Sequence, residues 1–217
     1  MAHVLFDVNG TLLDPRALTA SWEGAPSGVG LSLLDQTVAQ AMVDTMTGEF
    51  REFRQYMRAA LRHRARLAGL GEDAVEAGLQ AAAALPPYPD AADALARLTL
   101  AGHTPSALTN SPAEGARSAL REAGLLDHFH AVISVEAVNA YKPDPRVYAH
   151  ALELLGTAAA ETWFVAGHWW DVAGAKRAGL RTAWIGRDEG ALLETVPTPD
   201  LHVADLKEAA EAIAAAG

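Results

Sequence analysis

From residue 90 onward the chain alternates short apolar runs with helix-length segments, and that rhythm constrains the fold more than any other feature. The runs S-A-L-T (106–109), A-V-I-S (131–134), T-W-F-V-A (162–166), T-A-W-I (182–185) and L-H-V (201–203) are short and mostly continuous. Continuous apolar strands belong to a sheet covered on both faces, with L-H-V reading as an edge strand. The segments between them carry helix signals: 90–101 with Asp90 as N-cap and Gly102 past its end, then 113–123 before Gly124. Residues 145–155 stop at Gly156, about 171–178 stop at Gly179, and an Ala-rich helix fills 205–216. Strands joined by helices of this length form right-handed crossovers, so the sheet is parallel. V-L-F (4–6) adds a strand at the start of the chain.

Residues 15–86 break the rhythm. Leu34, Val38, Ala41 and Thr45, then Phe50, Phe53, Met57 and Leu61, recur at helical spacing with no strand between them. Pro86-Pro87-Tyr88-Pro89 is a stiff return linker. The sequence therefore predicts an α/β core from residues 1–14 and 87–217, with an all-helical cap inserted at 15–86. A chain of 217 residues can hold one core and such a lobe.

Composition excludes several classes. The formal charge of −10, from 17 basic and 27 acidic residues, argues against non-specific binding to nucleic acid or anionic membranes. Arg51, Arg54, Arg58, Arg62, Arg64 and Arg66 lie close together and read as a solvated helix face, one that can look onto an anionic ligand. The absence of cysteine removes disulfides, thiolate catalysis and Cys-based zinc sites. Asp7 interrupts the first apolar run too early for a signal peptide, and no apolar stretch reaches the roughly 18 residues of a membrane span. A reduced, cytoplasmic setting is the expectation. The apolar cap helices permit a homodimer without demanding one.

In an open parallel sheet, ligands bind beyond the C-terminal ends of the strands. Reading those ends gives Asp7, then Thr109-Asn110-Ser111, then Lys142, then His168 and Asp171. Each has an ordinary structural reading: Asp7 capping a turn, Asn-Ser-Pro making a loop, Asp171 capping a helix. At four successive strand ends the set becomes a candidate site. A dehydrated, ionised carboxylate is a competent nucleophile, and Lys142 opposite Asp7 would keep it anionic. Thr109, Asn110 and the backbone amides of the 8–12 turn can bind an anion. A helical cap can close over such a site and exclude water.

The stretches D-V-N-G-T-L-L-D (7–14), T-N-S (109–111), Y-K-P-D-P-R-V-Y (141–148) and A-G-H-W-W-D-V-A-G-A-K-R-A-G-L (166–180) resemble the four motifs of the haloacid dehalogenase (HAD) superfamily. They stand in that order and cover nearly the whole chain. The resemblance implies a Rossmann-like parallel core with a helical cap, and Asp7 as a nucleophile forming an ester or acyl phosphate that water hydrolyses.

Within that superfamily the residues divide two activities. Magnesium-dependent phosphatases begin with D-x-D, whose second acid protonates the leaving oxygen; here that place is Asn9. Their fourth motif carries a metal-binding Asp four residues before the second acid; here the position is Gly167, followed by His168. Mg²⁺ favours a near-octahedral shell of oxygens, and these losses leave too few carboxylates for it, so no metal or other cofactor is expected. The L-2-haloacid dehalogenase branch instead has no second acid, carries K-P-D-x-x-V-Y as in 142–148, and ends its fourth motif as Trp170-Asp171 does. A halide leaves without a proton, so Asn9 is no obstacle.

By that resemblance Asp7 attacks C2 of a short 2-halo acid with inversion. Asn110 helps cradle the halide, while Lys142 and Asp171 hold the carboxylates and Asp171 positions or activates water. Tyr148 supports Lys142 or the substrate. Val8, Asn9, Asn110, Ser111, Tyr148 and Trp170 form the substrate-binding set, with Thr109 and His168 joining Asp7, Lys142 and Asp171 as catalytic candidates. The branch's cap arginine has no counterpart in L-L-D-Q-T-V (33–38), which leaves Arg51 or Arg54 as substitutes from another turn. Thr109 replaces a serine, and His168 replaces an asparagine, as a hydrogen-bonding partner or a base with pKa near neutrality. A small dry pocket would suit chloro- or fluoroacetate better than longer acids. Two alternatives stand beside this reading: a phosphatase of small phosphomonoesters with altered motifs, and a non-catalytic binding protein on the same fold.

Overall fold

The computed structural model describes residues 1–26 and 28–216. Six strands form one parallel sheet: β1 His3–Phe6, β2 Thr104–Thr109, β3 Val132–Ser134, β4 Thr162–Ala166, β5 Arg181–Ile185 and β6 Leu201–Val203. Their order is β3-β2-β1-β4-β5-β6, so the chain reverses direction across the sheet beside β1. That switch point is where a doubly wound sheet opens a crevice. Phe6 pairs with Ala107 on one side and Val165 on the other, which sets the ends of three strands level. β1 and β4 are almost wholly buried, whereas β6 is the half-exposed edge its mixed sequence predicts.

Five helices complete the core: α4 Ala91–Leu100, α5 Ala113–Glu122, α6 Pro145–Leu155, α7 Trp169–Arg177 and α8 Leu206–Ala215, following the α1–α3 described below. α4 packs on α8 and α6 on α7, covering the two faces of the sheet. Two expectations need correcting. Asp90 precedes α4 but its side chain makes no cap there; it accepts the backbone N–H of Leu206 at 2.8 Å and pairs with Arg187. It ties the start of α8 to the loop after β5, a contact between distant parts of the chain. α7 begins at Trp169, because His168 takes the N-cap position and the two tryptophans enter the first turn. Asp171 is therefore no cap, and its carboxylate is turned inward.

Between Pro15 and Ala82 the regular elements among the described residues are all helical: a short 3₁₀ turn (Pro15–Thr19), then α1 Val29–Thr47, α2 Phe53–Leu67 and α3 Glu72–Ala82. Asp14 opens the turn by accepting the N–H of Arg16, with Pro15 supplying the fixed φ of a first helical residue. α1 stops at Gly48, whose φ of 82° is left-handed. α2 buries Phe53, Tyr56, Met57 and Leu61 against its neighbours. Its opposite face carries the arginines, and there Arg58 and Arg62 pair with Glu76 and Glu72 of α3. Two of the five α2 arginines are thus matched by carboxylates of α3.

The chain leaves and re-enters the sheet side by side. Asp14 donates its N–H to Pro86 at 2.8 Å and Tyr88 donates to Leu12 at 2.9 Å. Tyr141 fastens the helical segment from the other direction: its hydroxyl donates to the Arg51 carbonyl at 2.5 Å, and its ring stacks on Phe50 at 4.9 Å. The residue after Tyr141 is Lys142, so one anchor serves helices and site together. Among the described residues no helix is long and apolar enough to cross a membrane.

Candidate active site

β1 delivers Asp7 to the rim, where its N–H still bonds Val165 in β4 at 3.0 Å. The chain then folds tightly, with the amides of Thr11, Leu12 and Leu13 all directed at the Val8 carbonyl. Gly10 has φ 87°, and a Cβ there would lie 2.4 Å from Nε2 of His168. Only glycine satisfies both the backbone and the ring packed on it.

Lys142 is completely buried and all three ammonium hydrogens are used. Nζ donates to Asp7 Oδ1 at 2.8 Å, to Asp171 Oδ2 at 2.6 Å and to the Leu108 carbonyl at 2.9 Å. Asp171 Oδ1 accepts from the Tyr148 hydroxyl at 2.6 Å, and Asp7 Oδ2 accepts from the Thr11 hydroxyl at 2.7 Å. Thr11 Oγ1 in turn accepts the N–H of Gly167 at 2.9 Å. A continuous chain of hydrogen bonds therefore crosses the rim from Tyr148 to Gly167, with every member of the polar network satisfied.

Two carboxylates share one ammonium, and their proton affinities separate. Burial raises that of Asp7, but Lys142, His168 and the two hydrogen bonds outweigh it and hold the carboxyl below its ordinary range. Burial dominates at Asp171, and with Asp7 nearby it lifts that carboxyl to about 6 against the pull of Lys142. Burial alone would discharge Lys142, yet Asp171 and Asp7 keep it firmly protonated. Asp7 is the committed anion of the pair, and Asp171 the one nearer to accepting a proton.

His168 differs from its expected part. Burial lowers its basicity, but Glu189, Asp7, the Asn9 carbonyl and Asp35 together raise its pKa to about 9. That shift favours the charged form at neutral pH and suits the hydrogen-bonding role better than that of a base. Its Nε2 lies 3.0 Å from the Asn9 carbonyl, Nδ1 lies 3.8 Å from Glu189, and its ring stacks on Trp170. It braces the nucleophile loop with a second positive charge.

The remaining candidates separate by position. Asn110 Oδ1 accepts the Lys142 N–H at 3.0 Å, and its amide N–H groups have no hydrogen-bond partner among the described residues. Asn9 Nδ2 donates to Ser111 Oγ at 3.1 Å, joining the first and second loops. Thr109 is buried, and its oxygen accepts the Ser111 N–H at 3.1 Å, so it shapes the turn. Tyr148 is fully buried behind Asp171, and its hydroxyl donates to that carboxylate and to the Asp171 carbonyl. Trp170 is nearly buried, packed between His168 and Lys142. Thr11, the Leu108 carbonyl and Glu189 were not anticipated. Thr11 stands inside the D-V-N-G-T motif, which was the one available signal; the other two are set by packing.

Between α2, α3 and α5 lies a cavity of about 340 Å³, open to solvent where Arg54, Ala83, Gly115 and Ser118 are exposed. Val8, Asn9 and Ser111 form its wall on the nucleophile side, and Phe53, Arg54, Met57 and Leu79 come from α2 and α3. This volume exceeds the small pocket expected, because apart from Leu79 the residues that α3 and α5 present are Ala82, Gly115, Ala116, Ser118 and Ala119. The two cap arginines also resolve: Arg51 turns away to Asp44, while Arg54 lines the cavity and has no carboxylate partner among the described residues.

A family model for haloacid dehalogenase-like hydrolases matches residues 1–179. An (S)-2-haloacid dehalogenase of Pseudomonas sp. (strain YL) is 31% identical over 214 residues, covering 96% of this chain and 92% of that protein. One from Xanthobacter autotrophicus is 36% identical over 193 residues, 85% of this chain and 74% of that protein. A solved L-2-haloacid dehalogenase from Xanthobacter autotrophicus, with chloropropionic acid covalently bound, superposes with a TM-score of 0.89 at 27% identity and covers 98% of both chains.

Proposed function

The chain belongs to the haloacid dehalogenase-like hydrolases, and from that premise we propose that it hydrolytically dehalogenates short 2-halo carboxylic acids through an ester on Asp7. The (S)-2-halo acids named for its relatives are the substrates we assign. The observation that carries the reading is Lys142, buried and donating to Asp7 and Asp171 at once, while the position two beyond Asp7 holds an amide.

In the first step an Asp7 oxygen attacks C2, the carbon–halogen bond breaks with inversion, and the halide leaves with the bonding pair. No proton moves, so Asn9 suffices. The Asn110 amide faces the departing anion, and Arg54 is the cap cation we assign to the substrate carboxylate. In the second step water adds to Cγ of the Asp7 ester, the bond from Cγ to the substrate's oxygen breaks, and that oxygen takes one of the two water protons as the 2-hydroxy acid leaves. Asp171 is the acceptor we assign for the water proton; its oxygens hold Lys142 and Tyr148, yet each keeps a second lone pair. Esterification removes the Asp7 charge, which leaves Lys142 paired with Asp171 alone. The helical segment of residues 15–86 acts as the cap that keeps bulk water out.

The test is one turnover in heavy-oxygen water, followed by mass spectrometry of the peptide bearing Asp7. Label in that carboxylate is the expected result. An unlabelled Asp7 alongside a labelled hydroxy acid means that water attacks the substrate directly and overturns the ester. Halide release that persists with a chelator separates this chemistry from a metal-dependent phosphatase, and Asp7→Asn with undiminished ligand binding but no halide separates it from a binding protein.

A further inference from the structure

The cavity is too large and too apolar for the smallest 2-halo acids. A three-carbon halo acid has six non-hydrogen atoms and fills roughly 100 Å³, about three to four times the liquid volume of a water. The cavity offers about 340 Å³. The remainder corresponds to roughly eight methylenes at about 30 Å³ each, close to the volume of one water. Leu18, Leu34, Phe53, Met57 and Leu79 supply much of its wall. Arg54 is the charged side chain there, and Asn9, Ser111 and Ser118 are the polar ones, a set suited to one anionic head and an apolar remainder.

We infer that the enzyme prefers 2-halo acids with an extended alkyl substituent at C2, about six carbons or longer, whose tail fills the chamber between α2, α3 and α5. This rests on the dehalogenation proposed above and extends its substrates from short 2-halo acids to longer ones. The small residues decide the length. Ala82 at the end of α3 and Ala116 on α5 leave space that larger side chains would close. Water against the leucine, methionine and phenylalanine side chains of this wall finds few partners, so an apolar tail replaces it at little cost. Burial of each methylene corresponds to roughly a three- to fourfold gain in kcat/KM until the chamber is filled.

The experiment is halide release from an (S)-2-bromo acid series running from propionate to decanoate, using the full chain. The expected result is kcat/KM climbing with chain length by two orders of magnitude or more before levelling. Efficient turnover of 2-bromopropionate with a steady fall at every added carbon overturns the inference and leaves the dehalogenase intact. Halide from no member of the series removes the dehalogenase itself. Ala82→Phe provides the second measurement, read as the ratio of octanoate to propionate turnover in one preparation, which cancels any loss of folded protein. A roughly tenfold drop in that ratio supports the chamber; an unchanged ratio overturns its assignment to the tail.

Discussion

The rim of the sheet and the chamber under the helices meet at Val8 and Asn9, yet they are built by opposite rules. At the rim each side chain is committed: Lys142 spends every donor, and Asp7 and Asp171 accept on both oxygens. In the chamber the contacts are almost all apolar, and Arg54 stands without an ion-pair partner among the described residues. A saturated polar network in a low-dielectric setting has one good arrangement, so it fixes which atom reacts. A wall of alanine, leucine and phenylalanine tolerates changes in volume, so it sets only what fits. Reaction type and substrate size therefore reside in different parts of the molecule.

The sharpest way to break that contrast is Asp7→Asn, which should lower halide release by on the order of 10⁴-fold while leaving the tail-binding chamber intact. Steady-state assays paired with binding of a long 2-hydroxy acid would show the two effects separately. A variant that loses both together would mean that rim and chamber are one unit.

Lys142→Met comes next. It leaves two buried carboxylates facing each other, and unfolding in urea should show a loss of about 3–5 kcal/mol. Adding Asp171→Asn to it should restore part of that loss, because the partners interact; simple additivity in the double-mutant cycle would argue against a coupled network. No cavity-wall substitution of one methylene should approach this size.

His168 sharpens the boundary through pH. Its pKa is raised from 6.5 to about 9 in the folded protein, chiefly by Glu189 and Asp7 against the opposing effect of burial. The charged form is thus favoured by folding, and that stability is fully present below pH 6.5 and lost as pH rises through about 9. The loss should reach about 3 kcal/mol at most across that window, and His168→Asn should flatten the curve of urea midpoint against pH. Glu189, Asp35 and Asp7 face the ring, so a curve unmoved by the substitution would place the titration on one of them.

The smallest effect belongs to the chamber. Arg54→Ala should raise KM about tenfold, equal to about 1.4 kcal/mol, with little change in kcat, as expected for a contact shared by ground and transition states. Arg51→Ala should leave KM unchanged, since its guanidinium faces Asp44 on the outer surface. Equal responses from the two would undo the assignment.

Much of this was legible along the chain. The strand positions followed from short apolar runs, and the gathering of Asp7, Lys142 and Asp171 from their places after successive strands. Both are local patterns that a parallel sheet converts into position. Asp90 shows the limit: its place before a helix suggested a cap, and its carboxylate instead joins α8 and Arg187, more than 90 residues away in sequence.

The sequence by itself determined the sheet, the order of its strands' polar ends and the chemistry those ends can perform, because strand and helix periods and residue types are properties of short segments. Tertiary structure decided that the pKa of His168 is raised, that Arg54 and not Arg51 lines the cavity, and how much room that cavity has. Proton affinity depends on charges brought together from remote segments, and free volume on the gap between packed helices; neither quantity exists until the chain has closed around it.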